Sequence, residues 1–167
     1  MNRYQDTMTQ NNKRKLQELF HALCNEHRAM TVAVVDQEGA PWSAPVYYLY
    51  QDQCFYFFSS PKSRHVELLQ LEASMKASVS IYNEPEAYEA IRGLQMSGSV
   101  EEVKAFHKRS ALLLAFGRRF SFFEKFLQQP SLLQEVEKNK VYKFRPDVIY
   151  IVHNEEKFGK RILYKPL

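Results

Sequence analysis

Glycine is scarce in this chain, at 5 of 167 residues, and no Gly-rich loop joins a strand to a helix. That argues against the nucleotide folds that cradle phosphate on a glycine backbone. Cys24 and Cys54 fall in no CxxC or metal-ligand spacing and stand beside apolar residues, so they read as buried reduced thiols. No apolar run reaches the roughly 18 residues of a membrane span, and the N-terminus lacks the apolar core of a signal peptide. A cytoplasmic protein with no membrane partner is the expectation. His21, His27, His107 and His153 show no metal spacing, and no Ser/His/Asp order stands out, so neither a metal site nor a hydrolytic triad is expected. Charge excess is also small: of the formal net +4, residues 1–15 contribute +3, through Arg3, Lys13, Arg14 and Lys15 against Asp6. A pI near 9.0 therefore reflects a polar N-terminal tail more than a folded basic patch, and no nucleic-acid partner is expected.

Aromatic residues are plentiful: 12 Phe and 10 Tyr favour β-structure or a surface that meets rings. The length suits one domain, residues 13–167, behind a flexible polar tail over residues 1–12. Leu16, Leu19, Phe20 and Leu23 recur at helical spacing and predict a helix over Lys13 to Glu26. Thr31 to Val35, Trp42 to Tyr50 and Cys54 to Ser59 read as three strands joined by the turn residues Asp36 to Gly39 and Gln51 to Gln53. Pro45 cannot donate a ladder hydrogen bond, so it belongs at an edge, a bulge or a ligand-facing gap. A short helix through Val66 to Leu71 and a strand over Met75 to Tyr82 come next. After a polar loop, a second strand starts near Ala90. Residues 104–138 read as two or three helices broken at Gly117 and Pro130. Val141 to Phe144 and Val148 to Val152 read as separate strands before a final segment, Phe158 to Tyr164. The order does not give βαβ alternation, so the expected fold is mainly β, an antiparallel barrel with appended helices.

The most informative stretch is Phe55 to His65, an aromatic strand that runs into a polar, cationic turn and opens a helix. Ser59, Ser60, Ser63, Arg64 and free backbone N–H groups at a helix N-terminus are the chemistry that holds a phosphate. An ordinary strand-to-helix cap is the competing account. A phosphate beside an aromatic strand points to a flat, ring-bearing ligand such as a flavin. Tyr47, Tyr48, Tyr50 and Tyr56 alternate in direction, so most of them, like Trp42, read as packing or a dimer surface. Arg118 and Arg119 after Gly117 read as cations at a helix C-terminus. Phe158-Gly159-Lys160-Arg161 allows close backbone approach to a ligand, with a simple turn as its rival.

Gly39 to Tyr48, Phe57 to Ser60 and Ser63 to His65 together resemble the pyridoxamine 5'-phosphate oxidase-like family of FMN-binding split β-barrels, and residues 91–98 and 158–161 are similar to a small branch of it. The resemblance covers roughly residues 15–164 and implies a homodimer with FMN at its interface. It assigns Pro45, Val46, Tyr47 and Tyr48 to the strand flanking the ring, Phe58 and Ser59 to positions beside the ring, and Ser63, Arg64 and His65 to the phosphate turn; Ser60 and Lys62, read from the turn's own chemistry, join them as candidates. Arg92 and Gln95 complete the candidate cofactor-binding set.

This sequence departs from the family pattern at two places. His65 stands where the family has Lys, which implies FMN affinity that weakens as pH rises through neutrality. Ala44 falls at the family's strand-two Arg, leaving Lys62 and Arg92 as candidate substitutes. The C-terminal Arg and His that grip substrate in pyridoxamine oxidases have no match, so that activity is not carried over and no catalytic residue is named. The resulting expectation is an FMN-dependent oxidoreductase acting on a small-molecule redox substrate. A non-catalytic flavin-binding or redox-sensing module, and a barrel that has lost its cofactor and serves in protein interaction, are the alternatives. Haem or a deazaflavin could replace FMN.

Overall fold

The element that shapes this molecule is one 14-residue strand, β6 (Lys140–His153), which gives one edge to a single partner and divides the other between two. In this computed structural model, residues 10–71, 75–123, 138–156 and 159–165 are described. The remaining strands are β1 (Ala29–Val35), β2 (Pro41–Gln51), β3 (Cys54–Ser59), β4 (Lys76–Tyr82), β5 (Arg92–Glu102) and β7 (Arg161–Tyr164). Helices α1 (Gln10–Glu26), α2 (Arg64–Leu71) and α3 (Phe106–Arg119) are appended to them. All pairings are antiparallel in the order β3-β2-β1-β4-β5-β6-β7, and β3 also pairs with β6. That extra ladder closes a six-strand antiparallel barrel, so the fold is mainly β with appended helices.

The predicted meander β1-β2-β3 forms as the turn chemistry requires. Asp36 Oδ1 accepts the Glu38 and Ala40 N–H groups at 3.0 and 2.7 Å, and Gly39 takes the positive φ of 86° that the turn needs. Asp52 and Gln53 both have positive φ, 51° and 58°, the signature of a two-residue type I′ hairpin between Gln51 and Cys54. Alternation then sends Met30, Val32, Val34, Val46, Tyr48, Phe55 and Phe57 into the barrel, where Tyr142 and Phe144 complete the filling. The opposite face of β3 is buried too, because α3 lies over it. Leu112, Phe116 and Phe120, four residues apart, present one apolar stripe to Leu49, Tyr56 and Val141.

Helix α1 is tied to the barrel at its C-terminal end. Tyr48 Oη donates to the Cys24 carbonyl at 3.0 Å, and Arg119 Nη2 donates to the carbonyls of Asn25 and His27 at 3.0 and 2.7 Å. Arg119 thus neutralises the negative end of a helix other than its own.

Several sequence expectations are corrected. Helix α1 begins at Gln10, so residues 10–12 belong to it and not to the tail. Gly117 does not stop α3, which continues to Arg119, because the packed Phe116 and Phe120 outweigh the ~1 kcal/mol helix cost of one glycine. The predicted break at Pro130 lies outside the described residues. Ala90 closes a single 3₁₀ turn (Tyr88–Ala90), and β5 starts at Arg92.

The two strands read on either side of Arg145-Pro146-Asp147 are one strand, β6. On one edge of β6, residues 140–144 pair with β3 and residues 149–152 with β7, and Pro146 sits between these ladders, where no partner needs its missing N–H. A register shift opposite Ser97 and Gly98 leaves Asp147 as the extra residue, with Lys76 Nζ at 2.7 Å from its carboxylate. Gly98 has no room for a Cβ, which would collide with the backbone of Arg145 and Pro146. Gly98→Ala is therefore expected to cost about 1–3 kcal/mol through overpacking. Urea denaturation monitored by circular dichroism checks this, and an unchanged midpoint contradicts it.

Candidate functional site

Two places on the barrel gather polar groups: the turn between β3 and α2, and a cleft on the outer wall where β4, β5, β6 and β7 meet.

In the turn, Ser59 and His65 are buried and Ser60 and Ser63 half-buried, whereas Lys62 and Arg64 are exposed. Ser63 Oγ donates to the Ser60 carbonyl at 2.7 Å, Ser59 and Ser63 hydroxyls lie 2.9 Å apart, and His65 Nε2 is 2.8 Å from Ser59 Oγ. Each hydroxyl carries one proton, and the carbonyl can only accept. Ser63 therefore gives its proton to the carbonyl, Ser59 gives its own to Ser63, and His65 supplies an Nε2–H to Ser59. The tautomer follows from this count. Burial holds the imidazole below its ordinary pKa, so His65 is neutral near pH 7. The expectation that its charge would modulate phosphate affinity across neutrality is corrected, because the ring is turned inward and already engaged.

The donors left over face outward. The Arg64 guanidinium lies 5.0 Å from the Trp42 ring centroid and has no carboxylate partner among the described residues. The stack contributes about 0.5–1 kcal/mol and limits where the group can point. Lys62 uses its backbone N–H on Ser60 Oγ at 3.2 Å and leaves its ammonium in solvent. The backbone N–H groups of Arg64 and His65, in the first turn of α2, have no acceptor among the described residues, whereas those of Val66 and Glu67 bond to the Ser63 carbonyl at 2.9 Å.

Beside this turn β2 has an open edge. Its pairing with β3 begins only at Tyr48, while its pairing with β1 runs from Pro41 to Tyr47. Tyr48 N–H bonds to the Arg28 carbonyl at 3.1 Å, so the alternation of antiparallel pairs points the backbone groups of Ser43, Pro45 and Tyr47 away from β1. Pro45 is at an edge, as expected. Val46 is buried in the barrel and its main chain pairs with Met30 of β1, so it offers no free group, and Phe58 packs edge-on against Phe116 at 4.6 Å. Tyr47 is exposed and meets Phe120 and Phe122 at 5.3 and 4.8 Å.

Arg92 and Gln95 lie elsewhere. They line a cleft of about 380 Å³ with Tyr82, Asn154, Gly159 and Arg161, and no residue of the turn borders it. The sequence left Gly159 and Arg161 between a ligand approach and a simple turn, and did not join them to β5. It also read Trp42 as packing and missed its stack with Arg64. No group of three or more metal-ligating side chains occurs among the described residues, and none of their helices is long and apolar enough to cross a membrane.

The model of the pyridoxamine 5'-phosphate oxidase family matches residues 16–153. The chain belongs to that family. The protein named UPF0306 protein YhbP from Escherichia coli O157:H7 is 28% identical over 132 residues, which cover 78% of this chain and 80% of that protein. Among solved structures, the haem storage protein HutZ from Vibrio cholerae superposes with a TM-score of 0.63 at 16% identity, covering 79% of this chain and 90% of HutZ. An FAD-binding protein from Mesorhizobium loti gives 0.58 at 19% identity, with 80% and 90% covered. At these identities the two structures establish the fold.

One prediction concerns His65. Its folded pKa lies below the unfolded value of about 6.5, so the unfolded chain binds the proton first and stability falls as pH drops below that value. His65→Gln, which keeps an N–H donor but cannot be protonated, is expected to flatten this acid slope. Thermal denaturation between pH 8 and pH 5, compared with wild type, reads the difference.

Proposed function

We propose that this protein is an FMN-binding flavoprotein and an oxidoreductase acting on a small-molecule substrate, working as a homodimer. The observation that carries the reading is the set of unused donors at the turn. Lys62, Arg64 and the backbone N–H groups of Arg64 and His65 stand on one turn with no acceptor among the described residues, and the Arg64 guanidinium lies over Trp42. A phosphate monoester dianion matches that set in charge and donor number. Lys62 stands on the turn and supplies the second cation that Ala44 does not.

In this reading Arg64, Lys62 and the first N–H groups of α2 hold the phosphate. The backbone groups of Ser43 and Pro45, turned away from β1, then line the edge against which the ring rests. Ser59, Ser63 and His65 do not touch the phosphate through their hydroxyls or ring. Their hydrogen-bonded chain fixes the turn that aims the donors. When bound, FMN supplies the redox chemistry, and the residues of the chain supply position, charge and exclusion of water. A second copy would cover exposed apolar side chains of the barrel wall, such as Trp42, Tyr82, Tyr150 and Leu163.

A colourless protein that does not quench FMN fluorescence would support a barrel that serves in protein interaction. A visible spectrum with a Soret band would support haem binding, in line with the haem storage named for HutZ. For the flavin reading, Arg64→Ala is expected to weaken FMN binding by roughly 10- to 150-fold, the equivalent of one charge-assisted contact of 1.5–3 kcal/mol. Arg64→Lys restores only part, because Lys keeps the charge and loses the planar fork. Fluorescence titration of FMN with folded variants checks this, and unchanged affinity in Arg64→Ala refutes the assignment.

A further inference from the structure

Helix α3 spends one side on the barrel and leaves the other bare. Leu112, Phe116 and Phe120 are buried against the outer face of β3, whereas His107, Ala111, Leu114 and Arg118 recur at the spacing of the opposite helix face and are exposed. Phe106, Ser110 and Leu114 form a row along the flank of that outer face, each one turn beyond the last. Two members of the row are out of place in water. Phe106 is 81% exposed and Leu114 61%, the highest values of any large apolar side chain among the described residues. They stand about 12 Å apart along the helix axis.

The charge around them is almost all of one sign. From Lys104 to Arg119 the chain carries Lys104, Lys108, Arg109, Arg118 and Arg119, and no Asp or Glu. Arg119 is used on the carbonyls that end α1, but Lys104, Arg109 and Arg118 have no carboxylate partner among the described residues. Lys108 lies over the Tyr56 ring, 5.2 Å from its centroid. Next to it, Lys143 and Arg145 of β6 extend the positive field onto the barrel wall. Glu101 lies among these cations: a hydrogen bond from Lys143, and the charges of Lys143, Arg145 and Lys108, hold its carboxyl below the usual carboxylate range.

An apolar pair inside a cationic field has the layout of a protein–protein contact, with apolar anchors at the centre and a charged rim. A lipid surface fits less well, because the stripe that could insert already packs on the barrel and only two large apolar side chains remain to enter a bilayer. Nucleic acid fits less well too, because Leu114 offers no ring for a base to stack on and Glu101 stands inside the patch. We infer that the outer side of α3, from Lys104 to Arg118, is a docking surface for a partner protein that presents an apolar groove rimmed by carboxylates, with Phe106 and Leu114 as the anchors that enter the groove. Charge complementarity sets the sign of the partner and steers its approach, and the anchors hold it. No residue of the turn after β3 or of the outer cleft belongs to this surface, so the inference stands apart from the flavin reading.

The test is selection of a displayed library of short random peptides on the full-length protein, followed by fluorescence-anisotropy titration of the enriched peptides. Enriched sequences are expected to combine Asp or Glu with Leu, Phe or Trp. Phe106→Ser and Leu114→Ser should each weaken their binding at least about tenfold. The double variant Lys104→Gln, Arg118→Gln should slow association, as should added salt. All four side chains are exposed, so circular dichroism should show the wild-type fold in every variant. The proposal is overturned if no acidic, apolar sequences are enriched, or if those enriched bind wild type and both serine variants alike. It is also overturned if Phe106→Ser abolishes self-association of the wild type, which gives the face to a second copy, or if Phe106→Ser abolishes binding to phosphatidylglycerol vesicles or single-stranded DNA that is tighter than binding to the peptides.

Discussion

Pairing of β3 with β6, from Phe55 opposite Phe144 to Ser59 opposite Lys140, turns a curved sheet into a closed barrel, and the remaining features hang on that seam. It seals Phe55, Phe57, Tyr142 and Phe144 inside and gives α3 a floor of Tyr56 and Val141 outside. It also sets where β3 ends. Because Ser59 is the last paired residue, the polar turn emerges at a fixed point on the rim, with its hydroxyls directed inward and its cations outward. Closure costs β2 half of an edge, since β3 leaves toward α2 before it can pair with Pro41 to Tyr47.

Division of polar groups within the turn follows from burial. Ser59 and His65 lie under the rim, where an unpaired hydroxyl or a charged ring is costly, so they satisfy each other through a one-way chain that ends on a carbonyl. Arg64 and Lys62 stay in water, where an unpaired cation costs little. The same seven residues thus separate into a buried, mutually bonded inner layer and an exposed, cationic outer layer. At the cleft the logic differs, because Arg92 and Arg161 come from strands separated by β6, the first clasped at its backbone by Asn83 and the second held by Gln95 and the Gly159 carbonyl.

Much of this was legible in the sequence where the signal is local. The meander could be read because Thr31 to Val35 and Cys54 to Ser59 carry strand patterns and the intervening turns use Asp36, Gly39 and Asp52. The polar, cationic turn was legible because its serines and cations are contiguous. By contrast, Arg145-Pro146-Asp147 resembles a loop in any single-sequence reading, and only the exchange of partners along one edge of β6 shows why a strand tolerates it. Gly117 looked like a helix stop because glycine's local preference is visible and the packing of Phe116 and Phe120 is not. The cleft was invisible for a related reason: Tyr82, Arg92, Asn154 and Arg161 meet through register, which no spacing encodes.

The extra residue in β6 has an evolutionary corollary. Asp147 is the point at which the half of the strand facing β3 and the half facing β7 are brought into phase with β5. Deleting it would exchange inside for outside along one half, driving Val148 and Tyr150 into the core and Ile149 and Ile151 into solvent. Lineages of this fold should therefore tolerate substitution at position 147 yet resist losing a residue there, and length changes should accumulate in hairpins such as Asp36 to Ala40, where no phase has to be kept.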